Sequence, residues 1–242
     1  MTAFATPQPI AATVEVAGAQ VRVTATDRTD TVVRIEPIDA ANRSHVKVAG
    51  KTKVEFADGR LSVKTTASGE KNGSVAITID LPTGSSLATY LAYSDVQADG
   101  SFGECELHVA SGQVTLDRIE VLKANVSSGE VAIGHIAGRA DVEGGALSMR
   151  ISEVDGDVTA TTANGAIRIG RMTNGQAKLT SGSGDIEVGI TEGTAASVDV
   201  TSERGAVHNF VASQGEPGTS DATVSVFART RHGDITVRRA AS

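Results

Sequence analysis

Four polar residues in the second half of the chain have the side chains that acid–base catalysis uses. They are Arg168, Asp185, Glu187 and His208. The arginine, the glutamate and the histidine each stand three residues after a glycine, so on a repeating chain they would occupy equivalent positions on adjoining turns. Carboxylates and a histidine can transfer protons, and an arginine can bind an acidic sugar, which predicts a polysaccharide-active enzyme. The competing interpretation is that opposite charges on neighbouring strands pair across a solvated sheet. We favour this second interpretation because the sequence indicates no pocket that would exclude water.

A second set of basic residues stands six positions after a turn glycine. Its members are Arg118, His135, Arg171 and Arg239. As a ridge they would bind an anionic polymer. They also stand where strands end, and positive charges there keep strand edges soluble. The net charge of −7 favours the solubility role.

The other signals for chemistry are weaker. Cys105 follows Gly103 by two residues in a strand-like segment, which predicts a buried, unreactive thiol. The five histidines are scattered, with no spacing typical of metal ligands. No Gly-x-Ser-x-Gly motif is present, and no Gly-x-Gly lies in a βαβ context. We therefore predict no catalytic residue, no cofactor, no metal site and no enzymatic activity.

A short phrase recurs along the chain and indicates the architecture that must position these residues. A glycine is followed by apolar residues at the second and fourth positions. The copies begin at Gly112, Gly129, Gly145, Gly165, Gly184 and Gly233. Alternation with period two places the apolar residues on one face of a strand, and recurrence indicates one structural unit stacked on itself.

The spacing of these glycines predicts the fold class. Successive copies before the final gap are 17, 16, 20 and 19 residues apart, and a second glycine falls inside each unit from Gly129 onward. One rung of this size buries too few side chains to offset the cost of ordering its backbone, so stability must be collective. We predict an all-β protein with a single β-solenoid, a β-helix-like coil with two short strands per rung of about 16–20 residues.

The solenoid is expected to form a single elongated domain over residues 1–242. Residues 1–100 are predicted to be an irregular β-hairpin cap, 101–211 the regular rungs, and 212–242 a loop and the C-terminal strands. Gln214–Asp221, with two glycines and a proline, forms the interruption.

Within the cap, the alternating segments are interpreted as hairpin strands, Thr13–Val16 and Gln20–Thr26 among them, with a turn at Asp58-Gly59. Asp39–Ser44 is expected to be a loop. No segment has a helical period.

Composition excludes several classes of partner. Aromatic residues make up 3% of the 242 residues and tryptophan is absent, which predicts a thin aliphatic core. The net charge of −7 argues against nucleic acid and against an anionic membrane surface. One cysteine excludes an internal disulfide. The N-terminus lacks a signal sequence, and no apolar run would insert into a membrane, so a cytoplasmic location is expected.

The segment Val75–Gly84 reads Val-Ala-Ile-Thr-Ile-Asp-Leu-Pro-Thr-Gly and precedes repeated Ser-Gly-x-Val and Gly-x-Ile units, such as Ser183–Ile186. This series resembles the bacterial putative-adhesin β-strand-repeat family, also called toastrack-like, whose function is largely undetermined. The resemblance implies a β-solenoid and an association with the bacterial cell envelope or its stress response. It implies no catalytic residues.

We therefore predict a non-enzymatic binding or scaffold protein whose flat faces contact a partner protein or a repetitive polymer, with any envelope association through that partner. A polysaccharide-active enzyme is the alternative. The open edge of a solenoid can accept a second copy. Arginines near the C-terminus are expected to oppose this by repulsion, leaving a monomer or weak self-association. They are Arg229, Arg231, Arg238 and Arg239.

Overall fold

The computed structural model describes residues 1–65, 73–211 and 222–240. They fall into two compact units, unit 1 over Met1–Ser128 and unit 2 over Gly129–Ser242. Both are built almost entirely from β-strands, and the all-β solenoid class is confirmed. A single elongated domain over residues 1–242 stays a prediction. The predicted interruption at Gln214–Asp221 lies outside the described residues.

Unit 1 is centred on one long strand. Its elements are β1 (Thr2–Ala5), β2 (Ala11–Thr26), β3 (Asp30–Pro37), α1 (Arg43–Lys51), β4 (Lys53–Ala57), β5 (Arg60–Lys64), β6 (Val75–Pro82) and the first part of β7 (Ser86–Asp155). The first half of β2 pairs in parallel with β5 and with residues 86–91 of β7. Its second half pairs in parallel with β6 and with residues 93–99. Antiparallel ladders join β1 to β3, β3 to β6, and β4 to β5.

The cap contains fewer hairpins than the sequence predicted. Thr13–Val16 and Gln20–Thr26 both belong to β2, whose partners on either side are parallel, so the hairpin interpretation is wrong for them. Period-two alternation is the same in parallel and antiparallel strands, and therefore it does not identify the partner. The hairpin at Asp58-Gly59 is confirmed, because β4 and β5 pair around these two residues. Their φ angles of 49° and 71° are the left-handed values that a two-residue turn requires.

A helix forms where none was predicted. Helix α1 begins at Arg43, and the side-chain oxygen of Asn42 caps it by accepting a hydrogen bond from the backbone N–H of Ser44 at 2.9 Å. The loop expected at Asp39–Ser44 therefore ends two residues early. Val48 is the buried residue of α1. The helix has only nine residues and few apolar side chains, so its period is too short to stand out in the sequence, which is why the prediction failed.

Unit 2 consists of rungs that each supply one strand to each of two stacks. After β7 come β8 (Asp157–Asn164), β9 (Ile167–Ser183), β10 (Ile186–Ile190), β11 (Ala195–Arg204), β12 (Val207–Asn209), β13 (Thr223–His232) and β14 (Ile235–Arg239). One stack runs in the order residues 139–146, β8, the second half of β9, β13 and β11. The other runs in the order residues 149–155, the first half of β9, β10, β14 and β12. Every one of these ladders is parallel, as a solenoid requires.

The last rungs do not stack in chain order. The β13–β14 rung lies between the β9–β10 rung and the β11–β12 rung, because β13 pairs with β9 and β11, and β14 with β10 and β12. The prediction that Gly184 and Gly205 mark adjoining rungs is therefore wrong. Burial gives the physical reason. Val226 and Ile235 of the inserted rung are fully buried, whereas Val207 of the terminal rung is 44% exposed. The more apolar rung thus takes the inner position.

The repeated phrase predicted the core correctly. All of its apolar residues are buried, and none is more than 3% exposed. They are Val114, Leu116, Val131, Ile133, Leu147, Met149, Ile167, Ile169, Ile186, Val188, Ile235 and Val237. Each is a medium-sized aliphatic side chain, which matches the thin core expected from the composition.

Hydroxyl groups link the corners of unit 2 from rung to rung. A Thr or Ser three residues before a turn glycine donates to the carbonyl oxygen of the turn glycine on the neighbouring rung. The pairs are Thr162 to Gly145 (3.2 Å), Ser181 to Gly165 (3.1 Å), Thr230 to Gly184 (3.0 Å) and Ser202 to Gly233 (2.8 Å). The acceptors follow the same rung order as the strand ladders.

Candidate functional site

Glu187, the central member of the predicted acid–base set, lies between two arginines. Its Oε1 accepts a hydrogen bond from Nε of Arg238 at 2.9 Å, and its Oε2 lies 3.9 Å from Nε of Arg168. The arginines belong to β14 and β9, the strands on either side of β10. The carboxylate therefore pairs across strands, as the second interpretation of these residues predicted.

His208 is remote from this pair. Thr236 of β14 pairs with Glu187 on one side and with His208 on the other, so a whole strand separates the two predicted partners. The His208 ring stacks against Phe210, with ring centroids 6.1 Å apart. The prediction that His208 and Glu187 lie on adjoining rungs is wrong because the C-terminal rung is inserted between them.

Asp185 binds the backbone of the neighbouring rung. Its Oδ1 accepts a hydrogen bond from the N–H of Asp234 at 2.9 Å, and Oδ1 of Asp234 accepts one from the N–H of Ala206 at 2.7 Å. The same contact joins Asp157 to the N–H of Gln176 at 2.9 Å. An aspartate beside a corner thus satisfies a backbone donor of the next rung, which is a structural use of its carboxylate.

The second basic set is paired within unit 2. The partners are Asp155 for His135 (2.7 Å), Glu153 for Arg171 (2.9 Å), and the carbonyl oxygens of Thr191 and Thr194 for Arg239 (3.0 and 2.9 Å). Arg118, in unit 1, has an exposed side chain. The Glu153 carboxylate offsets the charge of Arg171, whereas the partners of Arg239 are neutral, so the set does not form a continuous ridge of unmatched positive charge.

The C-terminal arginines are also paired. Their carboxylate partners are Asp199 for Arg229 (2.9 Å), Glu203 for Arg231 (4.0 Å) and Glu187 for Arg238 (2.9 Å). These carboxylates offset part of the positive charge that was expected to repel a second copy, and weak self-association stays a prediction.

Cys105 is fully buried, as predicted. Burial raises the pKa of its thiol from 9.0 to about 12, and the neighbouring Glu104 carboxylate acts in the same direction. Because the thiolate is the nucleophilic form, Cys105 is unreactive in the folded protein.

Unit 1 carries a shallow, open groove of about 740 Å³ on its surface. Long side chains from successive strands form a row along it. They are Lys64, Glu15, Tyr90, His108 and Asn125. Short side chains lie beside this row, at Ala17, Ala92, Ala110 and Ser127. We call this surface the Tyr90 groove.

The long row of the Tyr90 groove is internally paired. Glu15 of β2 stands in register with Lys64 of β5 on one side and with Tyr90 of β7 on the other. Nζ of Lys64 lies 2.7 Å from Oε2 of Glu15. The rings of Tyr90 and His108 stack with centroids 5.1 Å apart and an interplanar angle of 7°.

Sequence reasoning missed the Tyr90 groove, although a signal was present. Tyr90, His108 and Asn125 are separated by 18 and 17 residues, which matches the length of a rung. Columns were counted from the turn glycines alone, and Tyr90 precedes the first of them. The β2 strand, which supplies Glu15, carries no repeat of the phrase.

The described residues were compared with two further kinds of site, a metal centre and a membrane-spanning helix. Over residues 1–65, 73–211 and 222–240, no group of three or more His, Cys, Asp and Glu side chains is placed to hold a metal ion. In the same part of the chain, no helix combines the length and the apolar character needed to cross a bilayer.

Solved structures similar to this chain include three bacterial proteins. A "putative adhesin" from Bacteroides fragilis is 14% identical, with 98% of this chain and 95% of that chain covered and a TM-score of 0.46. A "putative adhesin" from Parabacteroides distasonis is 12% identical, with 98% and 96% covered and a TM-score of 0.41. A "putative cell adhesion protein" from Clostridium sporogenes is 13% identical, with 98% of each chain covered and a TM-score of 0.24.

No curated protein matches the sequence. A family model does match it, and the match extends over residues 12–238, which includes most of both units. The resemblance seen in the Leu-Pro strand and the Ser-Gly repeats is thereby confirmed. This chain belongs to the Toastrack DUF4097 family.

Proposed function

We propose that this protein is a non-enzymatic binding and scaffold protein of the adhesin-like kind. Its outward sheet faces bind a partner protein or a repetitive polymer, and it associates with the bacterial cell envelope through that partner. Paired side chains and parallel ladders give these faces a fixed arrangement. A fixed surface loses little conformational entropy when it binds.

One observation carries this proposal. The carboxylates best suited to acid–base chemistry, Asp185 and Glu187, are both used to hold neighbouring strands. A glycosidase needs two carboxyl groups that face a substrate across the bond to be cleaved. Here one carboxylate accepts a backbone N–H at a corner and the other lies between two guanidinium groups. Their contacts support a structural role for both.

The test measures binding and cleavage in the same experiment. Purified protein is incubated with insoluble envelope polymer from a bacterium and, separately, with a uronate polymer. Co-sedimentation measures binding, and release of soluble fragments measures cleavage. We expect co-sedimentation with envelope material and no release of fragments. Glu187→Gln is expected to co-sediment as the wild type does.

The alternative, a polysaccharide-active enzyme that uses Arg168, Asp185, Glu187 and His208, predicts the opposite result. Fragments would be released at a rate that Glu187→Gln abolishes, and that outcome would overturn the proposal. Failure to bind any envelope fraction would also overturn it. The cytoplasmic location stays a prediction, which fractionation of the native cell tests.

A further inference from the structure

We propose that the Tyr90 groove is a binding site for an uncharged glycan chain. This proposal rests on the proposed binding function and names the ligand class of one surface. The groove combines an accessible aromatic ring, short apolar side chains and neutral hydrogen-bonding groups. These are the features that pockets for small polar ligands share.

The charges of the groove favour an uncharged ligand. The ammonium group of Lys64 is 2.7 Å from the Glu15 carboxylate, so the two ionic groups in the long row pair with each other. His108 lies 3.0 Å from Oε1 of Glu106. A charged polymer would have to compete with these internal pairs, whereas sugar hydroxyl groups can add hydrogen bonds to them without displacing them.

The exposed surface of the groove suits a ligand with both C–H and O–H groups. Tyr90 is 44% exposed, and its stacked partner His108 limits its motion. A tyrosine offers an apolar ring and a hydroxyl group that both donates and accepts hydrogen bonds. The alanine methyl groups beside it present a narrow apolar strip. A sugar ring, with C–H faces and a rim of hydroxyl groups, matches this combination.

Strand pairing argues against a peptide as the ligand. One common way for an extended peptide to bind is to add a strand to an open sheet edge. The first half of β2, which carries Glu15, already pairs on one side with β5 and on the other with β7. The long row therefore crosses paired strands, and its groups repeat at the strand spacing of about 4.8 Å. Side-chain groups in a repeating row favour a polymer of repeating hydroxyl groups.

The test uses tyrosine fluorescence in the full-length protein. The chain has two tyrosines and no tryptophan, so Tyr93→Phe leaves Tyr90 as the remaining tyrosine. This variant is titrated with cellohexaose and chitohexaose as neutral probes, with oligogalacturonate as the charged probe, and with a neutral hexapeptide. We expect a saturable change in Tyr90 emission with at least one neutral sugar, and none with the other two probes at the same concentration.

Blocking the groove distinguishes it from other surfaces. Ala110→Gln places a long side chain in the short row and is expected to weaken sugar binding at least tenfold by calorimetry. The matched control is Ala163→Gln, at an exposed alanine of β8 in unit 2, which should bind like the wild type. Tyr93→Ala, at a 62% exposed tyrosine that does not line the groove, should also leave binding unchanged. Circular dichroism verifies that each variant folds.

The proposal is overturned if no neutral sugar changes Tyr90 emission, if Ala110→Gln binds as tightly as the wild type, or if oligogalacturonate or the peptide binds more tightly. These failures are separable from failure of the proposed function. Envelope polymer that still co-sediments with Ala110→Gln would place binding elsewhere on the protein. Release of polymer fragments would instead indicate an enzyme.

Discussion

Unit 2 repeats its corner contacts from rung to rung, whereas unit 1 interrupts its strands with a helix, antiparallel ladders and the Tyr90 groove. In unit 2, hydroxyl groups bond to glycine carbonyls and corner aspartates bond to backbone N–H groups in the same way on successive rungs. Most of its outward arginines pair with carboxylates. Regularity of this kind is expected where a surface serves stability.

Unit 1 is less regular than unit 2, and its exposed residues include side chains that can bind a ligand. Both tyrosines are there, and both are exposed. Buried side-chain atoms without a hydrogen-bond partner among the described residues occur in both units, at Thr65 and Thr89 of unit 1 and at His135 and Thr191 of unit 2, so they do not distinguish the two. Departures from local rules are expected at functional sites. The regular corner contacts thus belong to unit 2, and the proposed glycan site belongs to unit 1.

The largest effect should come from filling a corner of unit 2. Gly184 has a φ of 151°, and a Cβ there would lie 2.2 Å from the carbonyl oxygen of Gly165. Gly184→Val therefore forces the backbones of two rungs apart, and we expect a loss of about 4 kcal/mol or more in the free energy of unfolding. Denaturation by urea, followed by circular dichroism, measures it.

The matched control is Gly50→Ala in helix α1 of unit 1. A Cβ at Gly50 has nothing within 4 Å, so alanine should stabilise the helix by about 0.5–1 kcal/mol. A Gly184→Val variant as stable as the wild type would contradict the corner contacts on which the description of unit 2 depends.

The next effect tests the order of the rungs. Ile235 of the inserted rung is fully buried, and Val207, its register partner on the terminal rung, is 44% exposed. Ile235→Ala should lower the free energy of unfolding by about 3 kcal/mol. Val207→Ala should lower it by less than about 1 kcal/mol. If the rungs followed chain order, the strand of Val207 would be internal and Ile235 would be terminal, so equal or reversed costs would contradict the insertion.

Alkaline pH should destabilise unit 1 through Cys105. Folding raises the pKa of this thiol from 9.0 to about 12. The unfolded chain therefore loses the proton first as the pH rises, and the stabilising contribution, complete below pH 9.0, falls between pH 9.0 and about 12. The expected slope is at most about 1.4 kcal/mol per pH unit.

Subtracting the pH profile of Cys105→Ala from that of the wild type isolates this contribution from lysine and tyrosine titration. If the stability profiles of the wild type and Cys105→Ala were parallel from pH 8 to 11, the thiol would be accessible to solvent in the folded state. That result would contradict the burial of Cys105 in the structure. No comparable titration is predicted for unit 2, which has no cysteine.

The sequence was informative where a residue's environment depends on its own strand. Ile167 and Ile186 alternate with outward polar residues, and burial of one face follows whatever the neighbouring strand is. Rung order depends instead on which whole rung buries more apolar area. Ser181, Ser202 and Thr230 all stand three residues before a glycine. The local pattern is therefore the same in the three rungs and does not predict which rung is terminal.

The candidate sites show the same limit. Pairing of Glu187 with an arginine was predictable from charge and column position. Separation of His208 from Glu187 was not, because it results from the insertion of a strand from the end of the chain. Glu15 likewise reaches Tyr90 through a parallel ladder between segments far apart in sequence, which no short-range pattern records.

The smallest effect tests whether charge pairing orders the outward rows of unit 2. Arg150 and Arg168 are in register on β7 and β9, and like charges directly opposite each other are destabilising. Among the described residues, Arg150 has no carboxylate within 4.0 Å. Arg150→Glu should therefore raise the free energy of unfolding by about 0.3–0.5 kcal/mol. Salt at about 1 M should remove most of this gain, because it screens exposed charges.

Arg150→Gln separates the two contributions to this gain. It removes the repulsion without adding an attraction, so its free energy of unfolding should lie between that of the wild type and that of Arg150→Glu. Loss of stability in Arg150→Glu, independent of salt, would mean that packing of the arginine stem outweighs its charge. Pairing would then not explain the order of the outward rows. The paired rows of unit 2 would then have to be tested as binding surfaces, with the same probes as the Tyr90 groove.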